Sequence, residues 1–344
     1  MDAIITVDVE ADGAWSYDSI RQVTVENLQR LPRFQELCDR FGMKPTYLCT
    51  WEVAKHHDFR AMVEWQRQGR AEIGAHLHPW TNPPFSTAGA RDFDPAEYPA
   101  YPLELSLDHF HAKMARLTEL IAERSGRAPT SYRAGRWGMA AAHVPILVEL
   151  GYIVDCSVTP LVNRQRNPGI RVPGPDYRTA PVVPYRLSPH DLCTPGTSAL
   201  LEVPMTIVQP RALLRRSLLA RNGYDLLKKM RASGVLHRLV GTEPTWLRPY
   251  PRNSAKMLRE VLAVATEMRL PVVEMMLHSS ELLPGASESY ATEVEVERQL
   301  AMVEDTFAAM RARAIEGVTL SDFAQQFMAG AHAPRVVPRR SLRA

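Results

Sequence analysis

Cysteine is scarce in this 344-residue chain: Cys38, Cys49, Cys156 and Cys193 stand far apart and form no CxxC pair. That spacing excludes a disulfide scaffold and fits separate buried thiols in a reducing compartment. Long hydrophobic runs are also missing, since none reaches the ~20 apolar residues that a membrane span needs. The first residues, MDAIITVDVE, lack a basic leader followed by an apolar stretch, so no signal peptide and a cytoplasmic location are expected. Net charge is only +3, too small to imply a nucleic-acid partner. No internal repeat is visible. Hydrophobic residues make up 45% of the chain, enough for an ordinary globular interior.

What the sequence does have is alternation. Ala3–Val7 is a β-branched run that ends in Asp8-Val9-Glu10, as a buried strand with acids at its carboxyl end would. A helix is expected over Val23–Phe41, with Gly42 as its stop and Pro32 marking a kink or a late start. Strands follow at Pro45–Trp51, Ala71–Ala75, Thr130–Arg133 and Tyr152–Asp155, and helices at His57–Gln68, Leu105–Ser125 and Met139–Leu150. Strand and helix alternate repeatedly, so the core reads as α/β with a parallel sheet. Beyond it come a helix over Asn253–Met268, a strand over Pro271–Leu277 and a helix over Glu293–Arg313. A short strand Val318–Leu320 and a helix capped by Ser321 are expected to end the fold.

Two stretches break the pattern. Residues 160–250 read as an irregular insertion that carries a basic helical segment, 211–238. As a solvated face it means little; otherwise it would grip a diphosphate, an acidic glycan or an anionic membrane surface. The aromatic, proline-rich loop Trp80–Pro102 is long enough to be functional. Residues 1–330 then form one domain, and 331–344 a mobile basic tail.

Chemistry gathers at strand ends. His76 and His78, spaced i, i+2, present two imidazoles on one side of the backbone, where they can meet one metal ion. Strand alternation likewise places Asp8 and Glu10 on a common face. Arg133 and His278 close two further strands. Functional groups at successive strand ends suit a barrel-like sheet, whose site is built from loops at the carboxyl edge.

Four segments, taken in order, resemble the motifs of the polysaccharide deacetylase family, the NodB homology domain (carbohydrate esterase family 4-like). They are TVDVE at Thr6–Glu10, EIGAHLHPW at Glu72–Trp80, YRAGRWG at Tyr132–Gly138 and LHSSEL at Leu277–Leu282. Each is weak alone; four in order across an α/β pattern are specific. The resemblance implies an irregular (β/α) barrel of about seven parallel strands with a middle insertion. It also implies a divalent metal on Glu10, His76 and His78, zinc first, with cobalt, nickel or manganese as alternatives. Asp8 would be the base, Arg133 its orienting partner and His278 the general acid. Two departures stand out. Trp80 occupies the place where the family usually has its second histidine, and His78 takes over, as in the lipopolysaccharide-cluster branch. The two acids are separated by Val9, so Asp8 and Glu10 could exchange roles.

Trp80, Trp137, Trp246 and Arg136 are candidate substrate contacts, the tryptophans because indole faces stack on sugars. Asp155 is a candidate partner for His278 or Arg133. The implied reaction is removal of acetyl from an N-acetylated sugar, whether a glycan, a lipid-linked or a nucleotide-linked precursor. Other readings stay open: a C–N hydrolase acting on a small amide or ureide, and a glycan-binding relative without turnover. Two histidines and a carboxylate also describe a mononuclear iron oxygenase, but those sites usually sit on all-β folds. Contact with a membrane surface and the oligomeric state are left open by the sequence.

Overall fold

Even positions of the first strand (Ile4, Thr6, Asp8, Glu10) become polar toward its end, whereas odd ones (Ala3, Ile5, Val7, Val9) stay apolar. Successive strand side chains point to opposite faces, so one face must pack against helices and the other must line an interior. The computed structural model describes residues 1–14, 23–85, 99–167, 169–209 and 244–330. Its strands are β1 (Asp2–Val9), β2 (Pro45–Cys49), β3 (Glu72–Leu77), β4 (Ser131–Ala134), β5 (Val154–Asp155) and β6 (Tyr185–Arg186). β7 (Leu201–Glu202), β8 (Ile207–Val208), β9 (Thr245–Trp246), β10 (Val272–His278) and β11 (Glu316–Gly317) complete them.

Among the described residues these strands form one nine-stranded sheet, ordered β10-β1-β2-β3-β4-β5-β7-β6, with β11 beside β1. From β10 to β7 the seven successive strands run parallel, and β6 joins antiparallel. β8 and β9 pair separately. The main sheet curls far enough for Arg133 on β4 to bond Asp8 on β1. Beyond β7, Thr206 Oγ1 accepts the Glu274 N–H of β10 at 2.7 Å, drawing the curled edges together. The expected (β/α) barrel is therefore the observed architecture. Part of the stretch read as an insertion is scaffold, because β7 lies in the main sheet.

Helices α1 (Leu31–Phe41), α2 (Trp51–Lys55), α3 (Phe59–Arg67), α4 (Leu107–Ser125) and α5 (Val144–Glu149) follow the first strands. α6 (Ala255–Glu267), α7 (Glu293–Arg311) and α8 (Leu320–Met328) come later. The outward sheet residues Ile5, Val7, Tyr47, Ile73, Tyr132 and Met275 pack with helix residues such as Phe34, Phe110 and Phe307 in one core. Inside the barrel, Ile4, Leu48, Val154, Val203 and Val272 meet Leu320 and Phe323 of α8 in a second, smaller core. The amino-terminal end of the barrel is thus plugged with apolar groups, and polar groups concentrate at the carboxyl end.

Several boundaries differ from the expectations for local reasons. The Val23–Phe41 helix resolves into a 3₁₀ turn over Glu26–Arg30 and α1, with Pro32 in the first helical turn, where a missing N–H costs nothing. Thr319, not Ser321, caps α8, its Oγ1 accepting the Asp322 N–H at 3.2 Å. That cap pulls Leu320 into the helix, and the short strand lies earlier, at β11. Ser321 instead donates its backbone N–H to the buried Glu72 carboxylate at 3.0 Å. The helix expected over Met139–Leu150 shrinks to a 3₁₀ turn over Ala141–His143 followed by α5. The basic segment 211–238, the tail 331–344 and residues 86–98 of the aromatic loop lie outside the described residues. Among those described, no helix is long and apolar enough to cross a membrane.

Candidate active site and metal centre

Parallel register alone brings the strand-end groups together. Asp8 is paired with His278 across β1 and β10, and His76 with Arg133 across β3 and β4. The even-numbered residues Asp8, Glu10, His76 and His78 all turn inward and are buried. His76 Nε2 lies 3.1 Å from His78 Nε2, and Glu10 Oε2 lies 3.3 Å from His78 Nε2 and 3.7 Å from His76 Nε2. Four ligands at the ~2.0–2.2 Å usual for imidazole and carboxylate would define tetrahedral edges of about 3.3–3.6 Å. The three separations, 3.1, 3.3 and 3.7 Å, bracket that range closely.

Hydrogen bonding makes the same case. Both Glu10 carboxylate oxygens are buried without a hydrogen-bond partner among the described residues, an arrangement that a bound cation would relieve. His76 Nδ1 lies 2.9 Å from the Arg133 carbonyl. A carbonyl can only accept, so Nδ1 carries the proton and the Nε2 lone pair faces Glu10. His78 is held by stacking on Trp80, with ring centroids 4.3 Å apart. A Cβ at Gly135 would stand 2.5 Å from the Leu77 carbonyl oxygen and 2.7 Å from His78 Cδ2, so only glycine lets the β4 turn approach this ring. A second cluster, His56, His57 and Asp58, sits at an outer turn, where His56 Nδ1 accepts the Asp58 N–H. Local capping accounts for it.

Behind the ligands runs a buried polar ladder. The Arg133 side chain is fully buried and donates through Nη1 to Asp8 Oδ1 at 2.5 Å, through Nη2 to Thr6 Oγ1 at 2.9 Å and to Glu274, and through Nε to the Cys156 carbonyl at 3.1 Å. Its guanidinium also lies 4.7 Å from the Trp137 ring centre. Burial alone would raise the Asp8 carboxyl, but Arg133, His76 and His278 outweigh it and hold Asp8 below its ordinary value. Glu10 is held well below the carboxylate range in the same way, burial being overcome by His278, His76 and His78. Glu274 goes the other way. Burial, with the Asp8 charge adding to it, outweighs Arg133 and lifts Glu274 to about 7.

This inversion predicts a pH effect. A carboxyl raised from 4.5 to about 7 binds a proton in the fold that the unfolded chain has lost, so its contribution declines as pH rises through that window. Relative to Glu274→Gln, metal-free wild-type protein should lose stability by about 3 kcal/mol between those two pH values, which paired denaturant titrations would read. Using the difference isolates Glu274 from other titrating groups.

On the facing side of Asp8, His278 Nε2 lies 3.8 Å from Asp8 Oδ2. Its Nδ1 is 3.2 Å from Glu281 Oε1 and 2.9 Å from Arg248 Nη2, while Arg248 donates to the same Glu281 oxygen at 2.5 Å. Burial would raise Glu281, but Arg248 and His278 bring it down to about 2. Arg248 and Glu281 together fix the Nδ1 side of the ring, which directs Nε2 into the site. The Arg248–Glu281 pair was not legible as site chemistry: Arg248 lies in an irregular stretch, and LHSSEL marked only the histidine.

Of the candidate substrate contacts, Trp137 and Trp246 line a cavity of ≈ 540 Å³ that reaches His278, their rings 5.8 Å apart and T-shaped. Trp80 is buried against His78, and Arg136 stacks on Trp80 at 5.1 Å, so these two support the ligand side. Arg136 and Trp137 adopt left-handed φ angles of 52° and 63°, a strained turn that lays Trp137 over Arg133. Asp155 does not pair with His278 or Arg133. Its carboxylate accepts Ser157 Oγ–H at 2.6 Å and Ser157 N–H at 3.1 Å and sits beside Glu202, because Asp155 is in register with the outward-facing Tyr132, on the opposite face from Val154 inside the barrel. Glu52 also went unnoticed in the sequence. Both its oxygens are buried without a hydrogen-bond partner among the described residues, and its charge acts on His78.

No family model and no curated protein matches the sequence. Solved structures share the fold. A protein from Parabacteroides distasonis described as a glycoside hydrolase/deacetylase superposes with a TM-score of 0.60 at 13% identity, covering 95% of this chain and 71% of that one. A Mycobacterium smegmatis protein described as a polysaccharide deacetylase superposes with a TM-score of 0.56 at 16% identity, covering 99% of this chain and 95% of that one. The fold is accordingly that of NodB-like polysaccharide deacetylases.

Proposed function

We propose that the protein is a metal-dependent N-deacetylase that hydrolyses the acetamide of an N-acetylated sugar. The observation that carries this reading is the convergence of Glu10, His76 and His78 beside an Asp8–Arg133 pair, with His278 on the opposite side of Asp8. Two imidazoles and a carboxylate suit zinc first, with cobalt, nickel or manganese as alternatives. A divalent ion held there lowers the pKa of water and polarises a carbonyl.

The remaining steps belong to the chain. Asp8, ionised and aimed by Arg133, accepts a proton from the attacking water. His278, its ring held by Arg248 and Glu281, gives its Nε2 proton to the departing amine. Water adds to the carbonyl carbon, the C–N bond breaks, and acetate and a free amino sugar leave. Asp8 serves better as base than Glu10, because Asp8 bonds Arg133 and lies between the ligands and His278.

Incubating metal-loaded protein with N-acetylated sugars, as oligosaccharides and as nucleotide- or lipid-linked forms, and with small amides and ureides, tests the proposal. Equal release of acetate and amine from a sugar is expected. Hydrolysis confined to the small amides, or sugar binding without any turnover, would contradict it. His76→Ala and His78→Ala should each weaken metal affinity by more than the ~10–100-fold typical of losing an outer partner, as read by metal analysis after dialysis. Full occupancy in His78→Ala would remove His78 from the ligand set.

A further inference from the structure

The cavity that reaches His278 carries more positive charge than hydrolysis of a neutral acetamide requires. Three arginines line it, Arg164, Arg248 and Arg252, together with the aromatic faces of Trp137, Trp246 and Tyr250. Each guanidinium lies over a ring: Arg164 on Trp246 at 5.7 Å, Arg248 on Tyr250 at 4.7 Å and Arg252 on Tyr250 at 5.4 Å. A stacked guanidinium keeps its in-plane N–H donors at the ring edge, the arrangement that grips an oxyanion through paired hydrogen bonds.

Among the described residues, only Arg248 of the three has its charge answered. It pairs with Glu281, which also holds His278. Among the described residues, neither Arg164 nor Arg252 forms an ion pair, and the other lining acid, Glu288, is exposed and pairs with neither. Arg164 Nε is buried with no hydrogen-bond partner among the described residues. Burial foremost, with the neighbouring charge of Arg248 adding to it, depresses the Arg164 guanidinium. A buried guanidinium with no ion-pair partner among the described residues is costly unless an anion arrives.

We infer that the substrate is an acetamido sugar bearing an oxyanion, a phosphate or a carboxylate, which Arg164 and Arg252 bind while aromatic faces hold the ring. This rests on the deacetylase reading for the position of the acetamide, and it deepens that reading by naming the substrate class. Arg164 and Arg252 act here as specificity-determining residues; neither takes part in bond breaking.

Calorimetric titration tests the inference without requiring turnover. The probes are the methyl glycoside of N-acetylglucosamine, N-acetylglucosamine 1-phosphate and the methyl glycoside of N-acetylglucosaminuronic acid. At least one anionic probe should bind about 10–100-fold more tightly than the neutral one, and the preference should shrink as salt is added. Preference for the phosphate alone would identify a phosphorylated sugar, and preference for the uronate an acidic glycan. Arg164→Gln, and independently the exposed Arg252→Gln, should lower the anionic-to-neutral affinity ratio about tenfold. A ratio near one in the wild type, or one that neither substitution changes, would overturn the inference. Acetate release is scored separately: turnover without anionic preference removes this inference alone, and anionic preference without turnover of any probe removes the deacetylase reading alone.

Discussion

Asp8→Asn is expected to lower turnover by roughly 10²–10⁴-fold, the range for loss of a positioned general base, while metal content stays that of the wild type. The separation follows from position. Asp8 contributes no atom to the closely spaced Glu10, His76 and His78 set, and its Oδ2 stands 3.9 Å from His76 Nε2. An asparagine side chain has nearly the same shape and retains an oxygen that can accept from Arg133 Nη1, so the barrel should hold. What it loses is the capacity to take a proton. Turnover and metal content measured on the same preparation give the answer, and parallel loss of both would make Asp8 a ligand and return the base role to Glu10.

The second large effect is on stability. Arg133→Met should destabilise the fold by about 3–5 kcal/mol, the usual cost of removing one partner from a buried ion pair. Two carboxyls, Asp8 and Glu274, depend on that single guanidinium, and Thr6 and the Cys156 carbonyl lose a donor with it. Methionine fills much of the space, so the loss is electrostatic rather than a cavity. The pH dependence distinguishes the two causes. Without Arg133 both carboxyls move upward in the fold while the unfolded chain is unchanged, so the variant holds protons that the wild type has already lost and its deficit grows as pH rises. Urea unfolding should therefore show a larger deficit near pH 8 than near pH 5. A deficit independent of pH would point to packing instead.

How much of this was legible beforehand depended on whether the signal was local. His76 and His78 share a face because they are two residues apart, and Asp8 and Glu10 for the same reason; period-2 geometry needs no tertiary knowledge. That these pairs meet Arg133 and His278 follows from parallel register, which the strand–helix alternation implies. Glu274 offered a signal that went unused: a lone acid inside the apolar run PVVEMML must find a partner when buried. Its partner, Arg133, stands 141 residues away in sequence, and nothing local connects them. Arg248 was hidden for the same reason, its acid Glu281 being 33 residues on. At the end of the fold Thr319 and Ser321 are both competent caps, and only the demand of Glu72 for buried donors assigns Ser321 elsewhere. Asp155 failed as a site residue because strand alternation, not residue type, decides which acids face the barrel interior, and Asp155 shares the outer face with Tyr132.

Glu10, His76 and His78 are expected to hold one divalent ion jointly at the carboxyl end of the barrel. X-ray absorption at the metal edge of zinc-loaded protein tests it most directly, with the wild type compared against Glu10→Ala and His78→Ala. One ion per chain is expected, bound by two imidazoles and a carboxylate, with one imidazole missing in His78→Ala and the carboxylate missing in Glu10→Ala. Sulfur ligation, a different number of imidazoles, or a spectrum that neither substitution alters would contradict it.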